Sequence, residues 1–192
     1  MRNINTFMDL FSQGLITGQY RHIYMDNTGH VILKFYRTGT LRTYRSDTAL
    51  TADTWMHISV VYAAAPSCAI YFNGVAQAVT LVDNTLVAES KGTTNMRIGR
   101  GTGAVTDAYW MDGFLDEWVY WNIALSAGQV TTIYNGGVTH DLSLLAFAAN
   151  MVQWLLMGDG DSYPTLNDNS IGNGHPATMI NMTALNIVSF TP

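Results

Sequence analysis

Residues 52–79 read ADTWMHISVVYAAAPSCAIYFNGVAQAV. In the first half, Met56, Ile58, Val60 and Tyr62 fall on one side of an extended chain, and Trp55, His57, Ser59 and Val61 fall on the other. That period of two belongs to a strand laid against a core. A second apolar run, CAIYF, ends at Asn73-Gly74 and is followed by VAQAV. Asn-Gly between two such runs is a strong hairpin marker, because both central residues of a type I′ turn need positive φ. The stretch therefore predicts consecutive antiparallel strands with one buried face.

The same alternation recurs outward in both directions. Strands are expected at about 5–11, 20–25, 30–37, 40–46, 55–63, 68–73, 75–81, 95–99, 112–122, 151–157, 176–181 and 185–190. The DNTG stretch around Asn27–Gly29 supplies a second turn with positive φ. Only two segments carry helical marks: Ser126 can cap AGQVTTIYNGG, with Gly136 and Gly137 ending it, and Asp141 can cap LSLLAFAAN. Many short strands, few helices and no βα alternation predict an all-β fold, a two-sheet antiparallel jelly-roll sandwich with one or two short helices.

Composition narrows the function. The 192 residues suffice for one domain with its own core. Charged residues are 12% of the chain and the net charge is -5, with no basic block beyond the scattered Arg37, Arg42 and Arg45. A nucleic-acid partner is disfavoured, since phosphate binding needs a concentrated positive face. Cys68 is the only cysteine, which excludes an intrachain disulfide and reads as a small buried apolar residue. The opening MRNINTFMDLFSQG has no secretory signal pattern. The longest apolar run, LLAFAANMVQWLLM, is interrupted by Asn150 and Gln153 and is too short to span a bilayer, so membrane insertion is not expected.

Taken in order, three stretches resemble the laminin G-like and pentraxin-like domains of the concanavalin A-like lectin/glucanase superfamily. The first is residues 52–79, with a Trp-His strand leading to a Tyr-x-Asn-Gly turn. The others are MRIGRGTG (96–103) and MDGFLDEWVYWNIALSAGQVTTIYNGG (111–137), similar to that family's Gly-x-(Ile/Leu)-Asp-Glu strand, Ala-Leu-Ser turn and short helix. The resemblance covers about residues 7–137 and implies a single domain over 1–192. Such domains open with a Trp- or Phe-containing strand, an Asp-x-Ser-Gly-Asn-Gly loop and a Thr-x-x-Asn strand. Here those elements resemble residues 152–182 (VQWLLMGDG, NDNSIGNG, ATMINM), so 151–192 is expected to supply strands usually found at the N-terminus, as in a circular permutation. A second, truncated repeat or strand exchange with a neighbouring subunit would place the same residues there. The segment MGDGDSYPT (157–165) after such a core resembles phage and virus structural proteins, and that resemblance implies a virion or extracellular location.

Catalysis has little support. Retaining glycosidases of this fold need two carboxylates about 5 to 5.5 Å apart, in a Glu-x-Asp-x-x-Glu pattern. Glu89 and Glu117 are the only glutamates and neither lies in it. Asp112 and Asp116 share a strand face but stand ~13 Å apart. The histidines His22, His30, His57, His140 and His175 have no zinc-binding spacing. The chain is therefore expected not to be an enzyme.

The loop DGDSYPTLNDNSIGNG (159–174) permits two readings. Asp159, Asp161 and Asp168 could converge on calcium, although Tyr163 and Pro164 break the EF-hand pattern. Asx residues also build turns unaided. For a ligand, aromatic and hydrogen-bonding side chains at strand ends or loops are what a sugar requires: Tyr36, Arg37, Tyr44, Arg45, Tyr109, Trp110 and Trp121. Burial in the core is the competing role of each. The expected function is a non-catalytic binding or structural module, a virion-associated adhesin with carbohydrate-binding capacity. Its expected partners are a glycan or cell-surface polysaccharide and other virion subunits or copies of itself. The alternatives are a purely structural decoration protein with no small ligand and, less in keeping with the carboxylate spacing, a glycoside hydrolase relative.

Overall fold

The structure is a computed structural model that describes residues 7–14, 18–86, 95–101, 110–172 and 174–180. The chain forms two compact units, residues 1–113 and 114–192.

The first unit is a sandwich of antiparallel sheets. Its six-stranded sheet is built from β1 (Met8–Gly14), β2 (Gln19–Met25), β3 (His30–Arg37), β4 (Thr40–Ala49), β8 (Val79–Asn84) and β9 (Arg97–Ile98), in the order β8-β4-β3-β2-β1-β9. The three-stranded sheet contains β5 (Ile58–Ala64), β6 (Ser67–Phe72) and β7 (Val75–Gln77) in sequence order. Alternation decides what faces inward. Met25, Val31, Leu33, Phe35 and Tyr44 from the larger sheet meet Ile58, Val60, Tyr62, Cys68, Ile70 and Phe72 from the smaller one. Of the two faces read from the sequence, the one with Met56, Ile58, Val60 and Tyr62 packs against this core.

Both expected turns form. Asn73 and Gly74 have φ of 49° and 75°, as a type I′ turn demands, and Asn73 Oδ1 accepts the His57 N–H at 2.9 Å. Gly29 has φ of 84°, and Asp26 Oδ1 braces that turn by accepting the Thr28 N–H at 2.8 Å.

Two expectations need correction in this unit and its border. The run 75–81 is two strands: Val75–Gln77 joins the smaller sheet, and after Ala78 the chain enters the larger one as β8. The run 112–122 is extended as β10 only over Trp118–Trp121, because Gly113 (φ 157°) and Glu117 (φ 48°) turn the backbone out of the strand region.

The second unit contains β10 paired antiparallel with β11 (Met151–Leu155), the short pair β12 (Thr165–Leu166) and β13 (Ala177–Thr178), and α1 (Ala127–Tyr134). Ser126 caps α1 as expected: its side chain accepts the Gln129 N–H, and Gln129 Oε1 accepts the Ser126 N–H at 2.8 Å. Asn135 ends the helix in the left-handed conformation. The second expected helix is instead two 3-10 turns, Leu142–Leu144 and Ala148–Asn150, because Leu145 between them is extended. Leu142, Ala148, Met151 and Trp154 form this unit's core, flanked by Val119, Trp121, Ile133, Leu145 and Leu156. The expected strand at 185–190 lies outside the described residues.

Candidate functional site

The side of the six-stranded sheet turned away from the core carries a run of aromatic rings. Along β2 the alternation Tyr20, His22, Tyr24 places all three there, since Arg21 and Ile23 between them take the opposite side. Tyr36 of β3 pairs with Tyr20, and their rings stack at 5.0 Å with planes 16° apart. His22 lies edge-on to Tyr20 at 6.2 Å and tilted against Tyr24 at 5.0 Å, and Phe7 continues the line 6.2 Å from Tyr24. Among the expected residues only Tyr36 belongs to this ladder. Tyr20, His22 and Tyr24 were missed, although QYRHIYM shows the ring-x-ring-x-ring alternation that could have found them.

The ladder is held by charge beneath it. Asp9 is 1% exposed and its partner is His22 Nε2. Burial pushes the Asp9 carboxyl up, and the hydrogen bond and charge of His22 pull the other way. Burial, helped by Tyr20, Asp26, Asp9 and Asp83, raises the Tyr24 phenol to about 12, so it is a neutral donor at any working pH. Arg45, on the same side through its pairing with Ile32, is tied to Asp26 Oδ2 at 3.1 Å and to Thr28 Oγ1 at 3.2 Å.

The remaining expected ligand contacts do not form one surface. Tyr44 is 2% exposed and packs in the sandwich core with its ring 6.0 Å from Tyr62, so it is corrected to a core residue. Consecutive strand residues face opposite ways, and Arg45 being outside requires Tyr44 inside. Arg37 is exposed at the end of β3. Trp110 is 43% exposed with the Arg100 guanidinium 4.6 Å over its ring. Trp121, in the second unit, packs on Phe147 at 5.3 Å and on the local core. Tyr109 lies outside the described residues.

The Asx-rich loop uses its carboxylates on its own backbone. Asp168 Oδ1 accepts the N–H groups of Trp154 and Ser170, both at 3.0 Å, and Oδ2 accepts those of Gly174 at 3.2 Å and His175 at 3.1 Å. Burial acts to raise this carboxyl, but the amides of Trp154, Ser170 and Gly174 and the Ser170 hydroxyl outweigh it and hold it at about 2. Asp161 accepts from Gly158 N at 3.0 Å and Asn167 N at 2.7 Å. Asp159 is exposed and acts electrostatically on Asp116 and Glu117. Among the described residues no three His, Cys, Asp or Glu side chains are grouped to hold a metal ion. The arrangement of Asp159, Asp161 and Asp168 does not fit a calcium cage, which needs their oxygens directed at one point.

In the second unit Asp116, Glu117 and Asp159 repel one another electrostatically. Burial, then Asp116, then Asp159 raises the Glu117 carboxyl to about 6. Burial likewise raises Asp116, opposed by the Glu117 N–H.

No helix among the described residues is long and apolar enough to cross a membrane. Among curated proteins no match is found. One solved structure that matches is the S-layer domain-containing protein (residues 221-444) from Clostridium thermocellum ATCC 27405, at 21% identity and a TM-score of 0.34, over 68% of this chain and 64% of that one. The present chain thus spans less than two thirds of that neighbour's length. A family model described as the concanavalin A-like lectin/glucanases superfamily matches residues 2–131, well over half of the sequence and in line with the two antiparallel sheets. The chain belongs to the concanavalin A-like lectin/glucanases superfamily.

Proposed function

We propose that the protein is a non-catalytic carbohydrate-binding module and that the outer side of its six-stranded sheet is the binding surface. The observation that carries this reading is the unbroken ladder Phe7, Tyr24, His22, Tyr20 and Tyr36 on the side that the core does not use. Tyrosine rings offer apolar edges and faces to the C–H side of a pyranose while their hydroxyls bond its oxygens. The ladder follows β2 over Tyr20 to Tyr24, about 13 Å, a span suited to several linked sugar units rather than one. Display in many copies, on a virion or another extracellular surface, belongs to the same reading, because linked weak sites gain strength through effective concentration. It also retains residues 151–192 as the relocated opening segment of the domain, supported by the pairing of β11 with β10 of the same chain.

The test is affinity electrophoresis of the whole chain through gels containing soluble polysaccharides. Retardation is expected for the native protein, and Tyr36→Ala should weaken it about tenfold, the loss of one stacking contact with its hydroxyl bond. Incubation with the same polysaccharide should release no new reducing ends. Native migration in every gel, or steady release of reducing sugar, would overturn the proposal.

A further inference from the structure

The row of residues beside the tyrosine stack has polar capacity that the fold leaves unused. Strand pairing aligns Ser12, His22, Lys34, Thr43 and Asp83 across β1, β2, β3, β4 and β8. Thr43 lies on the outer side because its neighbour Tyr44 is in the core. Ser12 is committed to the Arg100 carbonyl at 2.7 Å, and His22 to Asp9. The other three are not so committed. The Thr43 hydroxyl oxygen is buried with no hydrogen-bond partner, a state that is unfavourable when no ligand or water satisfies it. Lys34 is half-buried, and the ion pairs of the described residues include neither Lys34 nor Asp83. These two flank Thr43 on its neighbouring strands, about 10 Å apart at the backbone and within mutual reach of a bridging group. The adjacent row carries Tyr20 and Tyr36.

We infer that Lys34, Thr43 and Asp83, beside the Tyr20–Tyr36 stack, form a subsite for one neutral hexopyranose unit, bound through neighbouring hydroxyls. The inference rests on the carbohydrate-binding reading above and specifies its ligand class. A hydroxyl both donates and accepts, so one sugar can accept from the Lys34 ammonium and donate to the Asp83 carboxylate. An adjacent hydroxyl would then supply the partner that the Thr43 hydroxyl lacks. A uronate is disfavoured: its carboxylate would oppose Asp83 on a chain whose net charge is already -5.

The experiment again uses affinity electrophoresis of the full chain, with a galactomannan and a mixed-linkage β-glucan as neutral probes and polygalacturonate as the acidic one. Thermal melts of each variant accompany it. At least one neutral polysaccharide should retard the native protein at least tenfold more strongly than polygalacturonate does. Asp83→Ala should lower that affinity roughly tenfold, as the loss of one charge-assisted bond requires. Thr43→Val should lower it severalfold while leaving the melting temperature unchanged or higher, because the replacement removes an unsatisfied buried hydroxyl. Equal or stronger binding of polygalacturonate would overturn the inference. So would native affinity in Asp83→Ala and Thr43→Val alongside weakened Tyr36→Ala, a result that leaves the aromatic surface standing without this subsite. Retardation by no polysaccharide would remove both readings together.

Discussion

Replacing Asp168 with alanine should destabilise the protein far more than a loop substitution ordinarily does. The side chain is 2% exposed and accepts four backbone N–H groups. Two of those donors belong to buried residues, Trp154 and Ser170, so their amides cannot turn to water when the carboxylate is gone. Each bond to a charged acceptor is worth about 1.5 to 3 kcal/mol, and the exposed amides of Gly174 and His175 recover much of theirs from solvent. The expected loss is about 3 to 5 kcal/mol for Asp168→Ala and roughly half that for Asp168→Asn, which keeps one acceptor oxygen. The carboxyl is held at about 2, below its ordinary 3.8, a difference of about 2 kcal/mol. Because the folded-state value is depressed, this contribution is complete above about pH 4 and disappears as pH falls to about 2. Urea unfolding of the native protein and both variants at pH 7 and pH 2 measures it: the gap to Asp168→Asn should narrow at the lower pH. Calcium and EDTA should leave the native melting temperature alike. A cost below about 0.5 kcal/mol for Asp168→Ala would refute the reasoning. So would a calcium-dependent rise in melting temperature that Asp168→Asn abolishes.

Two further outcomes follow from burial and charge. Glu117, raised from 4.5 to about 6, loses stability as pH climbs through that interval, because the charged form is the one its surroundings disfavour. The full shift corresponds to about 2 kcal/mol; since the group is half exposed, solvent screening reduces it to about 1, so Glu117→Gln should be more stable than native by that amount at pH 7.5 and equal at pH 4 in paired urea melts. Ile70 is 0% exposed between the two sheets, and Ile70→Ala should cost about 2 to 5 kcal/mol in the same assay; a loss under 1 kcal/mol would mean the layers do not pack there as described.

Local chemistry made much of the sandwich legible. The Asn73-Gly74 turn, the inward set on β5 and the Ser126 cap each depend on residues within a few positions of one another, so the sequence contains the whole cause. The division at Ala78 does not: VAQAVTLV alternates without a break, and only the two partner sheets separate β7 from β8. Glu117 is similar, since no local rule asks a glutamate to take positive φ inside an aromatic run. The candidate surface was the least legible part. Tyr36 was found, but naming Tyr44 with Arg45 put two consecutive strand residues into one site. The alternation in QYRHIYM already puts Tyr20, His22 and Tyr24 on one side of β2, whereas the opposing sheet decides that this side faces outward. In the Asx loop the acidic spacing was visible, whereas the amides that Asp168 would receive, from Trp154 to His175, are brought to it only by the folded chain.

The passage of the chain through Ala78 has a mechanical consequence. One residue separates β7 on the margin of one layer from β8 on the margin of the other, and the Ala78 carbonyl also receives the Asp47 N–H at 2.9 Å. That margin behaves as the spine of a bound book: the leaves cannot slide past each other there. Any parting must begin along the fore-edge, where β5 and the two-residue β9 end their sheets. Solvent deuterium should therefore enter the β9 side early and the spine late.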